Sequence, residues 1–473
     1  MRTVIWSLSS SAVYRNLFFF PGSVFERACE HLRRHPDERI VFILPSQFRA
    51  KYEHLLVPEG LDRQVIVAIA DAPLKKSFFQ HAFYFLYSYL VFTGTTRIMA
   101  TMGTRPDEPP AGGKWYLAPA KILIARTLGT SRRIKRTLVP YLWLKIFPER
   151  PFRAIFDEVR PDLVFAPHIY GWFDAHVLAE AKRRRIPTVA MPAGWDHLDK
   201  YFLPFHADRL LVASDQVRRM ALEHQAYRME NISVVGYPHF DFIVRKDYMR
   251  PRADVLHELA FPPDSKYILY VSGSAYCPDE PDIIASILEW ADQGKFGRDV
   301  RLVIRPYLGG RGRDKAFDME KFNRFADHPR VVFYQQEFWG DLSRSFDFMN
   351  ILAHADVVLA LYTTMTVEAA VLDRPLIAPA FDGHKTRPYR RSIRRFLGFD
   401  HFREVLETGA LRVVYNFDDL FSAIDAYLKN PDLDADKRRE LRDKICGPLD
   451  GKVSGRIATF LVEERGGWYY GGC

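Results

Sequence analysis

The chain is 473 residues long, 48% hydrophobic and 26% charged, which allows two or three ordinary cores and excludes a compositionally disordered polypeptide. Its formal charge of +9 is unevenly spread: residues 75–150 hold thirteen Lys and Arg against three acidic residues, so the rest of the chain is near neutral. Four cysteines without paired spacing, Cys29, Cys277, Cys446 and Cys473, argue against a disulfide framework or a zinc site and fit a reducing compartment.

In chain order, the N-terminus MRTVIWSLSSS opens a strand, Thr3 to Leu8, and lacks the apolar run of a secretory signal. Further β-branched runs follow at Arg39–Leu44 and Gln64–Ile69, then at Asp162–Ala166, Thr188–Met191, Arg209–Ala213 and Ile232–Val235. Helical segments separate them, among them DAHVLAEAKRRR from Asp174, which starts on a capping residue type and ends in cations that favour a helix C-terminus. This alternation predicts a parallel α/β sheet over residues 1–240.

Residues 75–150 interrupt that pattern with FFQHAFYFLYSYLVF and TLVPYLWLKIF, aromatic and basic together, and with an exposed loop at Gly103 to Lys114. The most apolar stretch, Ala82 to Phe92, is eleven residues long, short of the ~20 that a membrane-spanning helix needs. Two readings of the insertion stay open: contact with an anionic membrane surface, or aromatic helices packed inward with solvated cations. No nucleic-acid recognition module is recognisable, so nucleic acid is not an expected partner. A cytoplasmic protein, peripheral at most to the inner membrane face, is expected.

After the proline- and charge-rich stretch from Tyr237, strands resume at Tyr267–Val271, Val300–Ile304, Arg330–Phe333, Asp356–Ala360, Pro375–Ala378 and Arg412–Tyr415. A second parallel α/β domain over 241–450 is predicted, with 451–473 returning to the first domain. Open parallel sheets bind ligands beyond the carboxyl ends of their strands, so two of them facing each other would frame an interdomain cleft.

The stretch ALYTTMTVEAAVLDRPLIAP, from Ala360, leaves a strand, passes Thr363 and Thr364 and enters a helix containing Glu368. Hydroxyls and amides at a helix start suit a phosphate, and a carboxylate one turn on can accept two hydrogen bonds from the cis hydroxyls of a ribose. Thr364 and Glu368 also lie close to the spacing of a capping box, and residue types alone leave both readings open.

The run ADVVLALYTTMTVEAAVLDRPLIAPAF resembles the donor-site segment of GT-B glycosyltransferases. That resemblance implies two Rossmann-like domains across a cleft, a nucleotide-sugar donor with Glu368 on its ribose, and Thr363 and Thr364 near its diphosphate. NISVVGYPHFDF, containing Gly236, resembles the hinge segment of glycerophosphotransferase, surface-carbohydrate transferase and nucleotide-sugar 2-epimerase relatives. GPLDGKVSGRIATFL resembles the closing D-G-K-x-S segment of bacterial polysaccharide transferases. In YVSGS, small residues Ser272, Gly273 and Ser274 would let backbone approach a phosphate, and Arg305, Lys385 and Arg387 are candidate diphosphate contacts. One departure is Arg305-Pro306-Tyr307-Leu308, where the glycerophosphotransferase and epimerase groups would show a histidine.

The acceptor side must remove a hydroxyl proton, which calls for an Asp, Glu or His in the cleft. The segment GWDHLDK resembles the G-W-D-N segment of surface-carbohydrate transferases; Asp196 is the expected base and His168 its rival. Ser10, Arg15, Asn16, Trp195 and Lys200 complete the predicted acceptor side. A D-x-D triplet at Asp432–Asp434 reads as capping, so no metal or other cofactor is predicted. The resulting expectation is a glycosyltransferase acting on a surface glycan or lipid-linked acceptor, with glycerophosphate transfer, 2-epimerisation or a non-catalytic nucleotide-sugar-binding role as alternatives.

Overall fold

The protein is described here by a computed structural model covering all residues except Phe19, 103–114, 308–312, 336–341 and 463–473; the side chains of Arg15, Trp115, Arg313 and residues 342–345 also lie outside the description. The predicted loop at Gly103 to Lys114 falls outside it.

Among the described residues, thirteen strands form two parallel sheets. The first contains β1 (Arg2–Ser7), β2 (Glu38–Leu44), β3 (Val65–Ile69), β4 (Leu163–Ala166), β5 (Thr188–Ala190), β6 (Arg209–Val212) and β7 (Ile232–Val234), in the order β3-β2-β1-β4-β5-β6-β7. The second contains β8 (Lys266–Val271), β9 (Val300–Arg305), β10 (Val331–Phe333), β11 (Val357–Ala360), β12 (Leu376–Pro379) and β13 (Leu411–Val414), in the order β10-β9-β8-β11-β12-β13. Strands such as β4 (LVFA) and β11 (VVLA) are buried at every position, as continuous apolar runs require when helices cover both faces of a sheet. Strand order reverses at β1/β4 and at β8/β11, and the crevices beyond those strand ends are where doubly wound sheets bind ligands.

The basic insertion lies between β3 and β4 and contains helices Phe78–Ser88, Gly94–Thr101, Ala118–Arg126 and Val139–Ile146. Its large apolar residues divide between buried and exposed positions. Phe83, Tyr87, Trp143 and Phe147 are buried in the larger core, whereas Leu74, Phe78, Phe79, Tyr116, Leu123 and Tyr141 are exposed.

The chain's last described helix, Val453–Val462, packs on the first domain, where Val453, Ile457 and Leu461 join a core with Val4, Trp6 and Phe42. Asp241 caps it, accepting hydrogen bonds from Val453 N at 3.0 Å and Ser454 N at 2.6 Å. Gly236 has φ +99°, and a Cβ there would stand 2.6 Å from Val453 Cγ2. The G-x-P-x-x-D segment is therefore a seat for the returning helix, and Gly236, expected at the donor, is instead fixed by packing.

The domains also meet through their strand-end loops. Trp195, after β5, packs edge-on against His401 and Phe402 of the second domain, with ring centroids 5.3 and 5.2 Å away. Beside it, fully buried Asp199 accepts from His401 Nδ1 at 2.8 Å and from the Thr95 hydroxyl. Burial alone would raise the Asp199 carboxyl, but His401, Thr95 and Lys200 hold it below its usual range.

Two outcomes follow. Asp241→Ala should lower the unfolding free energy by about 1 kcal/mol, the usual cost of a lost helix cap, measured by urea denaturation; an unchanged midpoint would contradict the capping role. Because the folded-state pKa of Asp199 is depressed, its stabilisation is present above the unfolded carboxylate value of ~3.9 and lost as pH falls through and below it. The acid-side fall in Tm should therefore be shallower in Asp199→Asn than in the parent protein, and parallel curves would refute that contribution.

Candidate functional site

The second domain's switch point is built by the turns after β8 and β11. After β11, Tyr362 takes a left-handed conformation (φ 50°), which turns the chain sharply into helix Met365–Val371. Thr364 occupies the N-cap position without a side-chain cap bond, so no capping box forms with Glu368. The buried hydroxyl oxygens of Thr363 and Thr366 have no hydrogen-bond partner among the described residues. Glu368 is 5% exposed, and its Oε1 lies 3.5 Å from Nε2 of His239, in the hinge helix Pro238–Arg245. The carboxylate expected to grip a ribose thus sits where the donor segment meets the hinge.

The other residues expected at the donor side are engaged within the protein. Ser272 Oγ donates to Glu280 Oε2 at 3.1 Å and Gly273 N to Glu280 Oε1 at 2.8 Å. Lys321 Nζ joins the cluster, 2.7 Å from Glu280 and 3.3 Å from Asp318, while burial pushes the Asp318 carboxyl up to about 6. Ser272 and Gly273 are therefore turned toward a buried ionic cluster rather than presented to a phosphate. Ser274 is half-buried, its Oγ 3.5 Å from Tyr276 N. Arg305 lies over the Phe348 ring, 4.6 Å from its centroid. Lys385 and Arg387 converge on Asp279, with Lys385 Nζ at 3.0 Å and Arg387 bidentate. Burial opposes ionisation of Asp279, and the two cations outweigh it. They form a pre-paired basic corner beside the β8 turn; a diphosphate there would compete with Asp279.

On the first domain, β1 and β4 bring together residues far apart in sequence. Asp174, fully buried in the first turn of helix Trp172–Arg184, accepts from Ser7 Oγ at 2.7 Å and from the Ser9 hydroxyl. His168 Nδ1 lies 3.7 Å from Asp174 Oδ2 and 3.5 Å from Ser9 Oγ. Its Nδ1 edge thus faces a carboxylate, leaving Nε2 as the nitrogen for a substrate. A buried acid behind an accessible imidazole is the arrangement a general base needs, because the acid orients the ring and stabilises its protonated form. Gly171 makes this fit possible: a Cβ there would collide with Asp174 Oδ2 and come within 3.1 Å of His168 Nδ1.

Asp196, expected as the base, is the counter-ion of Lys200 instead. Burial would raise its carboxyl, but Lys200, with His197 and His401, holds it far below its usual range, which makes it a weak proton acceptor. Burial lowers His197 to about 4. The remaining acceptor-side candidates are structural. Ser10 caps helix Ser11–Leu17 through Ala12 N, Asn16 Nδ2 donates to Ala193 O at 2.9 Å, and Trp195 closes the domain interface. The Arg15 side chain lies outside the described residues. Tyr276 and Tyr307 of the second domain lie within electrostatic reach of Tyr201 and Lys200, so this loop faces the interdomain space.

Sequence reasoning missed Asp174, His239 and the Asp199–His401 pair. Asp174 read as the capping start of a helix and His239 carried no reading of its own; only the parallel pairing of β1 with β4, and the packing of helix Pro238–Arg245 against helix Met365–Val371, brings their partners to them. Among the described residues, no group of three or more His, Cys, Asp or Glu is placed to hold a metal ion. Asp434 of the D-x-D triplet bonds Arg412 and Tyr427 rather than serving as a side-chain cap.

The family model of CDP-glycerol:poly(glycerophosphate) glycerophosphotransferase matches residues 321–463, which include Thr363, Thr364, Glu368, Lys385 and Arg387. No curated protein matches the chain in sequence. Among solved structures, a protein described as a UDP-N-acetylglucosamine 2-epimerase from Listeria monocytogenes is similar over 98% of this chain and 97% of its own, at 13% identity and a TM-score of 0.53. The S. aureus MnaA–UDP co-structure is similar over 98% and 99%, at 14% identity and 0.52. The Methanocaldococcus jannaschii UDP-GlcNAc 2-epimerase in complex with UDP-GlcNAc and UDP gives 98% and 100%, 13% and 0.50. With its two Rossmann-like sheets and a basic helical insertion in the first, the chain has the GT-B fold.

Proposed function

We propose that the chain is a transferase that moves a nucleotide-activated sugar onto a hydroxyl of a surface glycan or its lipid-linked form. The observation behind this reading is the His168–Asp174 pair at the first domain's switch point, with the Thr363–Glu368 segment at the second. In the reaction, the acceptor hydroxyl gives its proton to His168 Nε2 as its oxygen bonds to the anomeric carbon. The bond from that carbon to the diphosphate breaks, and the nucleotide leaves with the electron pair and added negative charge. Asp174 steadies the imidazolium, and Lys385 and Arg387 offset the leaving-group charge without a protein-bound metal. Glu368 exchanges or shares its His239 contact with the donor ribose.

A second reading, transfer of glycerol phosphate from a cytidine donor, is favoured by the family match over 321–463. There the same hydroxyl attacks phosphorus and the nucleoside monophosphate leaves. Label on the donor's β-phosphate then stays in the polymer, whereas sugar transfer releases it with the nucleotide.

The insertion supplies the location in this reading. Leu74 (82% exposed), Phe78 (80%) and Phe79 (76%) stand bare beside exposed Lys76, with exposed Arg126, Arg132 and Arg133 on the same insertion. Apolar rings among cations suit an anionic bilayer surface, and no helix among the described residues is long and apolar enough to cross a membrane.

His168→Ala should lower kcat by roughly 10²–10⁴-fold while nucleotide-induced thermal shifts persist. Glu368→Gln should instead weaken nucleotide binding by about 1.5–3 kcal/mol, the scale of a charge-assisted hydrogen bond. Nucleotide binding without turnover in the parent protein, or full turnover in His168→Ala, would overturn the catalytic assignment. In sedimentation with vesicles, binding should require anionic lipid, weaken with salt and fall in a Phe78→Ser/Phe79→Ser double variant; equal binding to neutral vesicles would contradict the membrane role.

A further inference from the structure

A cavity of about 490 Å³ opens in the first domain between helix Phe78–Ser88, the turn after β4 and residues 201–204. Its size falls within the ~300–1,000 Å³ range of small-molecule sites. The wall chemistry is distinctive. Five tyrosines, Tyr84, Tyr87, Tyr89, Tyr170 and Tyr201, line it together with Trp172, whereas Leu203 is the one branched aliphatic residue among its lining residues. A prenyl or acyl chain asks for aliphatic walls. Phenol and indole rings offer something else: flat faces for the C–H groups of a pyranose, and polar tips for its hydroxyls.

The rings are held open for such use. Lys75 Nζ stands 4.1 Å from the Tyr84 centroid and 4.2 Å from that of Trp172, bracing both at one side of the cavity. Trp172 is further fixed by its Nε1, which donates to Pro73 O at 2.8 Å. Tyr170 is tilted against Tyr201, with centroids 5.6 Å apart, and stacks on His197 at 5.2 Å. The hydroxyls of Tyr89, Tyr170 and Tyr201 make no hydrogen bond with another described residue, and burial raises the pKa of each, so all three stay neutral donors and acceptors.

The cavity also adjoins the proposed base. Gly171 lines it, and a Cβ on the same residue would come within 3.1 Å of His168 Nδ1. Only the width of one residue separates the cavity from the dyad.

We infer that this cavity is an acceptor subsite that binds pyranose rings of a glycan by stacking on its tyrosines and Trp172, placing the glycan's end beside His168. The inference rests on the transferase reading and narrows it: the acceptor is recognised through its sugars rather than its lipid.

The test uses the full chain and saturation-transfer NMR with cellobiose, maltose, lactose and chitobiose, each at about 10 mM, enough to detect a Kd near ~1 mM. At least one disaccharide should bind saturably, with transfer strongest at ring C–H protons. Tyr84→Ala, at a residue already 37% exposed, should weaken that binding at least tenfold, and Tyr84→Phe should retain most of it. If none of the four binds, or if Tyr84→Ala binds as the parent does, the inference is overturned. Loss of palmitoyl-oleoyl phosphatidylglycerol vesicle binding in Tyr84→Ala without any disaccharide binding would overturn it in favour of a lipid site. Nucleotide thermal shifts on the same samples separate the two levels: retained shifts with no sugar binding reject this subsite alone, whereas absent shifts reject the donor reading.

Discussion

The contact between Glu368 and His239 is the constraint on which the rest of the architecture turns. One partner belongs to the helix after β11, the other to the hinge helix that leaves the first domain, and they meet 3.5 Å apart in a nearly buried setting. A carboxylate removed from water is costly unless a cation or donor faces it. Helix Met365–Val371 and helix Pro238–Arg245 are therefore energetically tied: whatever displaces His239 from Glu368 Oε1 changes the contact between domains. Under the proposed transferase reading, a nucleotide at Glu368 would couple its own binding to the opening of the cleft, since hinge closure is set by a few residues at element ends.

Around that contact, packing leaves little freedom. The hinge segment seats the returning helix through Asp241 and through the absence of a side chain at Gly236, so the last helix locks the hinge from the first-domain side. From the second-domain side, His401 and Phe402 close over Trp195 and Asp199. Charges that could serve substrates are paired within the protein: Lys200 with Asp196, and Lys385 and Arg387 with Asp279. Such pairing keeps buried charge tolerable, and substrate anions would exchange partners rather than create new buried charges.

Much of the fold was legible in the sequence, because strands such as β4, β11 and β12 are short apolar runs buried at every position. Both sheets are also parallel throughout their described pairs, as the alternation of strands and helices implies. The site was legible only where one segment contains its own chemistry, as in the Thr363–Glu368 stretch. It was opaque wherever function depends on meetings across the fold. Asp196 looked like a free loop acid, and the lysine that neutralises it stands four residues away, a spacing that sequence reading weighed as separate contacts. Ser272 and Gly273 looked exposed because small residues often border phosphates, whereas Glu280 and Lys321 bury them. His168 gains its acid only when the helix after β4 folds back against β1, and the tyrosine cavity forms only when the insertion docks beside that turn.

The most direct measurement of the central claim is a crystal structure of the chain soaked with UDP or CDP. The ribose hydroxyls should lie within hydrogen-bond distance of Glu368, with His239 displaced from or shared with that carboxylate and the diphosphate near Lys385 and Arg387. A nucleotide bound elsewhere, with the Glu368–His239 contact unchanged, would contradict it.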